Sequence, residues 1–407
     1  MSKLFSLGKL HVSDFVKDNE NPRSNPAELQ LMLDSNGAVR LEHVVDKYEM
    51  YGKYWYRSGT NDTMKKNLKD VVDSIISVKK LSEGDVWLDI ACNDGTLLNF
   101  IPDFMKKVGI DPADSCYVAE SSKVGEIVQD FFSEKAFNST SCRNRKCEVI
   151  TTIAMFYDLD DPIPFINDVY KILSDDGIWV IQLSYTPLMI EQLAFDNICH
   201  EHVYYYSLFN LKKLFEDNGF QVVDSQLNDV NGGSIRIFLM KTHANVSKFG
   251  TQPYRDVCKF RVQSLLSQEE KLNLDKVETW VEFYSKINEL RDTTVNFIKE
   301  AKNQGKKIWA YGASTKGNTL LQYFDLDNST IDAIAERNSQ KFGLKTVGTN
   351  IPIKSEEEMR AEKPDYVIIL PWHFISEFII REENYLKEGG KFIVPCPKFE
   401  IISGGNL

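Results

Sequence analysis

Short apolar runs alternate with helically spaced apolar positions along most of the chain, and that alternation divides it into three blocks. Residues 1–70 are polar and irregular, with no long periodic segment, and predict only a small N-terminal substrate-lid region. From 71 to 245 the pattern switches repeatedly between helix and strand. Val71-Val72-Asp73-Ser74-Ile75-Ile76 predicts a helix, and Asp85 to Ile90 a short buried strand. Val108 to Asp111, Val149 to Ala154 and Gly177 to Leu183 read as further buried strands, with a helix over Ile163 to Leu173. Strands separated by helices predict a parallel sheet covered on both faces. Phe220 to Asp224, Asn231-Gly232-Gly233 and Ser234 to Met240 form a hairpin signature, an antiparallel pair at the edge of that sheet.

Block three runs from 246 to 407. Residues 250–304 interleave charges with Val277, Phe283, Ile287, Leu290, Val295 and Ile298, which predicts a long connecting helix or a helical pair. A second α/β unit follows. Lys307 to Tyr311 is a strand, Gly312 to Gly317 a tight turn and Asn318 to Phe324 a helix; Ile331 to Ala335, Tyr366 to Leu370 and Lys391 to Val394 supply more strands. The fold class expected is α/β: a Rossmann-like central domain, a small N-terminal region and a second Rossmann-like C-terminal domain.

Composition narrows the class of partner. The 407 residues are 43% hydrophobic and 26% charged, enough for proper cores, and the net charge is −11. An acidic chain without a long basic run is poorly suited to nucleic acid, which demands clustered Lys and Arg. The longest apolar runs fall far short of the roughly 18 residues that a membrane helix needs. The first residues lack the apolar segment of a signal peptide, and the seven cysteines form no CxxC pair. A cytoplasmic protein with free thiols is expected, as a monomer or homodimer.

Candidate chemistry begins at Leu88-Asp89-Ile90-Ala91-Cys92-Asn93-Asp94-Gly95-Thr96, between a buried strand and an expected helix. Ligands of doubly wound sheets bind at the carboxyl ends of strands, against such loops. About twenty residues on, Asp111 ends the next strand, where a carboxylate accepts hydrogen bonds from both ribose hydroxyls of an adenosine. The G-x-G-x-x-G dinucleotide fingerprint is absent.

Asp89 to Gly95 resembles the first motif of the class I S-adenosylmethionine-dependent methyltransferases. More narrowly, the chain is similar to the deoxysugar C-methyltransferases that act on nucleotide-linked keto-sugars. That narrower resemblance rests on Tyr54 to Thr60 with Thr63-Met64, the Asp89 loop, and Phe195 to His202 with Tyr206-Ser207. Ala310 to Gly317, Gly348 to Ile353, Leu370-Pro371-Trp372 and Gly389 to Pro395 complete it. It implies S-adenosylmethionine as cofactor, held by Asp89, Ala91, Asn93, Gly95 and Asp111. In two respects the chain departs from the resemblance. Cys199 stands where relatives often have tyrosine, and the N-terminal region lacks the two pairs of zinc-binding cysteines that many relatives carry, so no metal is expected.

Two of the six histidines lie in Cys199-His200-Glu201-His202. Zinc sites on helices use i, i+4 spacing, whereas His200 and His202 would point about 200° apart on a helix. Acid–base chemistry fits better. Methylating carbon requires a carbon nucleophile, and a carbon beside a ketone becomes one only by losing a proton, which a neutral imidazole can take. The resulting enolate oxygen needs a donor. The resemblance implies His202 as the base, with Glu201 as its polar partner or a substrate contact. Tyr56 is a candidate donor, with Tyr54 and Ser58 beside it as substrate contacts.

Gly312-Ala-Ser-Thr-Lys-Gly317 is neither a Walker A loop nor a full dinucleotide fingerprint. Its backbone N–H groups suit an anion at a helix N-terminus, and a nucleotide-sugar diphosphate would fit there, with Lys316 adding charge. Glu336 would meet a ribose, and Trp372 would shape the sugar pocket between domains. The reading is a C-methyltransferase acting at C3 of a nucleotide-linked 4-keto deoxysugar. The alternatives are an O- or N-methyltransferase on a related sugar, a nicotinamide-dependent sugar oxidoreductase or epimerase using the Gly312 turn, and a noncatalytic nucleotide-sugar binding protein.

Overall fold

The computed structural model describes residues 1–35, 37–51, 55–113 and 115–405. Its centre is a seven-stranded sheet built from β1 (Val86–Ile90), β2 (Lys106–Ile110), β3 (Glu126–Val128), β4 (Cys147–Ile153), β5 (Leu173–Ser184), β6 (Phe220–Asn228) and β7 (Ser234–Lys241). The spatial order is 3-2-1-4-5-7-6, with β7 alone running against the rest. β1 is buried at every position because it pairs in parallel with β2 on one side and β4 on the other. The strand order reverses between β1 and β4, so the loop after β1 opens at the switch point. Helices α1 (Asp62–Val78) and α2 (Pro162–Ile172) lie on opposite faces, in separate apolar clusters. The helix expected after the Asp89 loop is only a 3₁₀ turn over Leu98–Phe100. Ile101 precedes Pro102 and is extended, which stops a helix there.

Residues 1–70 correct the expectation of an irregular segment. Ser2–Leu10, Ala27–Leu33 and Val39–Leu41 form an antiparallel sheet, and Tyr204–Tyr205, from just beyond the His-Glu-His segment, pairs with Val39–Leu41 as its fourth strand. The alternation was hard to read because the first strand shifts register twice, once across Gly8, whose φ is +95°. Nor does this sheet have a core of its own. Leu7, Leu29 and Leu31 join Phe283 and Ile287 of the linker and Ile334 and Ile368 of the C-terminal unit in one cluster.

The linker is a helical pair, α3 (Gln252–Leu272) and α4 (Val277–Asn303), broken at the left-handed Asn273. α3 belongs to the central domain. Arg261 donates to both oxygens of buried Asp224 at 2.9 and 2.6 Å, and Glu269 accepts from the Tyr185 hydroxyl at 2.6 Å. α4 belongs to the other side, where Phe5 stacks on Tyr284 at 4.7 Å. The C-terminal sheet contains β8 (Ile308–Tyr311), β9 (Ala333–Glu336), β10 (Ile353–Ser355), β11 (Tyr366–Ile369), β12 (Lys391–Val394) and the antiparallel β13 (Glu400–Ser403). Its order, 10-9-8-11-12-13, is that of a doubly wound nucleotide fold. Helix α5 (Thr315–Tyr323) follows β8 directly, its first turn capped by Ser314.

Candidate active site between the two sheets

The loop after β1 is held in an unusual backbone conformation. Ala91 and Asn93 take left-handed φ of 58° and 51°, and Gly95 has φ 76° with Ser121 Cα only 2.9 Å from where a Cβ would stand. Left-handed non-glycine residues cost roughly 1–3 kcal/mol each and persist where surrounding contacts hold them. Asp111 supplies one of those contacts, accepting from Asn93 N–H at 2.8 Å, and is itself fixed by accepting from Ala113 N–H at 2.7 Å. Asp89, at the end of β1, accepts from the Thr151 hydroxyl at 2.7 Å. Burial, with Asp111 nearby, lifts its carboxyl to about 7 against the Thr151 hydrogen bond. A cationic, adenosine-bearing ligand fits such a seat: two desolvated carboxylates at adjacent strand ends, around a loop whose glycine has no room for a side chain. Asp89, Ala91, Asn93, Gly95 and Asp111 are thus gathered at one place.

The N-terminal segment is tied onto this loop. Asn93 Nδ2 donates to the Tyr56 carbonyl and its Oδ1 accepts from Ser58 N–H, both at 3.0 Å, while Asp94 accepts from Gly59 N–H at 2.8 Å. Tyr56 keeps 42% of its surface exposed, yet its phenol is pushed up, by desolvation first and Asp94 second. Tyr54 lies outside the described residues.

The His-Glu-His segment divides its labour. His200 is structural: its Nε2 lies 3.0 Å from the Ala27 carbonyl and joins the segment to the N-terminal sheet. His202 is buried, its ring 4.1 Å from that of Tyr157, and it shares a small cavity with Ser184, Thr186 and Asn197. Desolvation, then the Lys316 charge, hold its imidazole down to about 3, so it is neutral at physiological pH. Glu201 moves the opposite way: desolvation lifts it to about 7 against a 3.4 Å contact from the Thr315 hydroxyl. Tyr157 meets this segment directly, its ring against that of His202 and its carbonyl accepting from Val203 N–H at 2.9 Å. Tyr157 itself was missed. Its one available signal was its place just past the carboxyl end of β4, on the strand flanking the switch point.

Across the crevice stands the turn after β8. Gly312 has φ 85°, and a Cβ would meet Pro371 at 2.8 Å. Lys316, expected at a diphosphate, donates from its amine to the Asn231 carbonyl at 2.8 Å, in the turn between β6 and β7. Trp372 Nε1 donates to buried Asp196 at 3.1 Å, a second bridge between the sheets. Glu336 is already engaged by the protein, accepting from the N–H groups of Ala313 at 2.8 Å, Arg337 at 2.8 Å and Asn338 at 2.9 Å. Its placement repeats that of Asp111, an acid after the second strand bracing the loop after the first. Among the described residues no group of three His, Cys, Asp or Glu is arranged to hold a metal ion. Nor is any helix among them long and apolar enough to cross a membrane.

Comparison with known proteins is consistent along nearly the whole chain. Residues 61–225 match a family described as methyltransferase domain, and residues 229–397 one described as C-methyltransferase C-terminal domain. The C-methyltransferase NovU of Streptomyces niveus is 28% identical over 366 residues, 90% of this chain and 85% of its own. Among solved structures, an S-adenosylmethionine-dependent methyltransferase from Clostridium acetobutylicum ATCC 824 aligns over 45% of this chain and 93% of its own, at 13% identity and a TM-score of 0.35. Another, from Aquifex aeolicus, covers 44% and 98% at 16% identity and a TM-score of 0.30. Those two overlaps are too low to carry an argument.

Proposed function

We propose that this chain, an S-adenosylmethionine-dependent methyltransferase similar to known C-methyltransferases, methylates C3 of a nucleotide-linked 4-keto deoxysugar through an enolate. S-adenosylmethionine, when bound, supplies a sulfonium methyl as the electrophile; Asp89, Asn93, Gly95 and Asp111 hold it. The observation that carries the reading is the seating of His202 in a small cavity with Ser184, Thr186 and Asn197, with Glu201 next to it against the Thr315 hydroxyl of the C-terminal unit. Burial leaves both groups neutral, the imidazole able to accept a proton and the carboxyl able to donate a hydrogen bond. His202, neutral, takes the proton beside the ketone. Glu201, kept protonated near neutral pH, donates a hydrogen bond to the substrate. Tyr56 adds a second donor from the N-terminal segment, with Ser58 beside it. The position of the crevice, between a cofactor sheet and a second nucleotide-type sheet, favours a substrate that itself carries a nucleotide. Gly312 and Trp372 would line the sugar's path, and Tyr54 and Glu336 remain candidate substrate contacts.

The test is incubation with methyl-¹³C S-adenosylmethionine and a panel of nucleoside-diphosphate 4-keto-6-deoxyhexoses, read by carbon NMR. A new methyl bonded to ring carbon in at least one product is expected. Methyl appearing only on oxygen or nitrogen, or no transfer to any panel member, overturns the reading.

A further inference from the structure

We propose that Lys316, from the C-terminal sheet, is a catalytic residue that donates a hydrogen bond to the ketone oxygen and holds the enolate charge as His202 removes the neighbouring proton. The inference rests on the function proposed above and deepens it, since the sequence placed this lysine at a diphosphate.

The geometry begins at the hairpin turn. Asn231 sits at φ 58° and Gly232 at φ 81°, and the Asn231 carbonyl accepts from the Lys316 amine. That is the one hydrogen bond which Lys316 makes among the described residues, so a half-buried group with three donors has two to offer a ligand. Orphaned polar atoms are buried around it. Asp196 is 1% exposed and its Oδ1 has no hydrogen-bond partner, although Trp372 satisfies Oδ2; Nδ1 of His373 is likewise unpartnered. Buried polar groups in native proteins are almost always paired, so this concentration of unspent donors and acceptors marks a place built for a polar ligand.

Charge supports the same assignment. Thr315, the residue before Lys316, touches Glu201, the residue before His202, at 3.4 Å, so the lysine enters beside the segment that carries the base, and its charge bears on His202. Burial lowers the amine, and Asp196 opposes that as its counter-charge. An oxyanion forming beside this amine stabilises the ammonium form, so the interaction strengthens as charge develops, the requirement for catalysis rather than mere binding. In the step itself the C3–H bond breaks and an N–H bond forms on His202. The electron pair becomes the carbon–carbon double bond, and the carbonyl pair moves onto oxygen, where Lys316 donates without transferring its proton. Because Lys316 stands on α5 of the C-terminal unit and His202 on the segment that follows β5, the site is complete only when the two are apposed.

Proton abstraction is tested apart from methyl transfer by following exchange of the C3 hydrogen in D₂O without S-adenosylmethionine. The probe is the member of the 4-keto-6-deoxyhexose panel that the wild-type protein methylates. Lys316→Met is expected to slow exchange by about a hundredfold while S-adenosylmethionine affinity, measured by calorimetry, stays within about twofold; Lys316→Arg keeps a substantial part of the rate. Removing the cation also raises the His202 imidazole, so its NMR titration in Lys316→Met moves to higher pH, a change that a purely structural lysine far from the base does not produce. Wild-type exchange in Lys316→Met overturns the proposal, as does an unmoved His202 titration. If Lys316→Met fails to fold, a Lys316→Arg variant that folds but exchanges as slowly as His202→Ala overturns it too. If the wild-type protein exchanges C3–H in no panel member, the proposed function itself falls, and the role of Lys316 with it.

Discussion

Asn93 holds Tyr56 by its backbone: the side-chain amide donates to the Tyr56 carbonyl at 3.0 Å, while its own N–H is fixed by Asp111 at 2.8 Å. One residue of the cofactor loop therefore sets the height of a phenol from a segment more than thirty positions earlier. Asn93→Ala removes two hydrogen bonds, each worth roughly 0.5–1.5 kcal/mol. Amide exchange at Ser58 and Gly59 is expected to accelerate about tenfold, and kcat to fall more than cofactor affinity. Unchanged protection at both amides would show that the segment is held by other contacts.

Asp89, as a proposed cofactor contact, is expected to make cofactor binding a proton-linked event. Its folded-state carboxyl lies at about 7, above the ordinary range, because burial disfavours the anion. A sulfonium cation favours the anion. Binding therefore expels a proton from the fraction of molecules protonated there, and affinity rises with pH through about 7. Calorimetry in buffers of different ionisation enthalpy measures the release. Asp89→Asn is expected to abolish the pH dependence and weaken binding; a pH-independent affinity in the wild type contradicts the assignment.

Glu201, in its proposed role as a donor, is expected to set the alkaline side of the rate profile. Its raised carboxyl donates only while protonated, so kcat/KM is expected to fall as pH rises through about 7. His202, held down to about 3, contributes no limb near 6.5 in the free enzyme. Glu201→Gln keeps a neutral donor and should flatten the alkaline limb. A rate that climbs through pH 7 would make the carboxylate, not the acid, the working form.

Trp372 and Asp196 fasten one domain to the other. Trp372→Phe leaves the second oxygen of a buried carboxyl unpartnered, a loss of roughly 1–3 kcal/mol. Denaturant unfolding is expected to show that loss together with weaker substrate binding, while cofactor affinity holds. Wild-type stability in this variant would mean that the indole bond contributes nothing net.

Much of this was legible in the chain because it depends on local pattern. β1 is buried at every position and β5 from Gly177 to Leu183, so each reads as a largely apolar run, and the Asn-Gly-Gly turn announced its hairpin through residues tolerant of positive φ. The acids at strand ends, Asp89 and Asp111, follow from those runs. The N-terminal sheet stayed hidden because its first strand breaks period two at irregularities in register, and because its fourth strand comes from residues 204–205.

By itself, then, the sequence determined the two α/β units, the cofactor loop and the residue types able to move a proton. Only the tertiary structure decided which of them meet. Periodicity encodes a residue's face within its own element, whereas the partners of Lys316, Asp196 and Glu201 lie on elements far off in sequence, brought close by the packing of two sheets across one crevice. Burial in that crevice is what separates His202 from Glu201, for desolvation acts on a group only once the surrounding fold has removed its water.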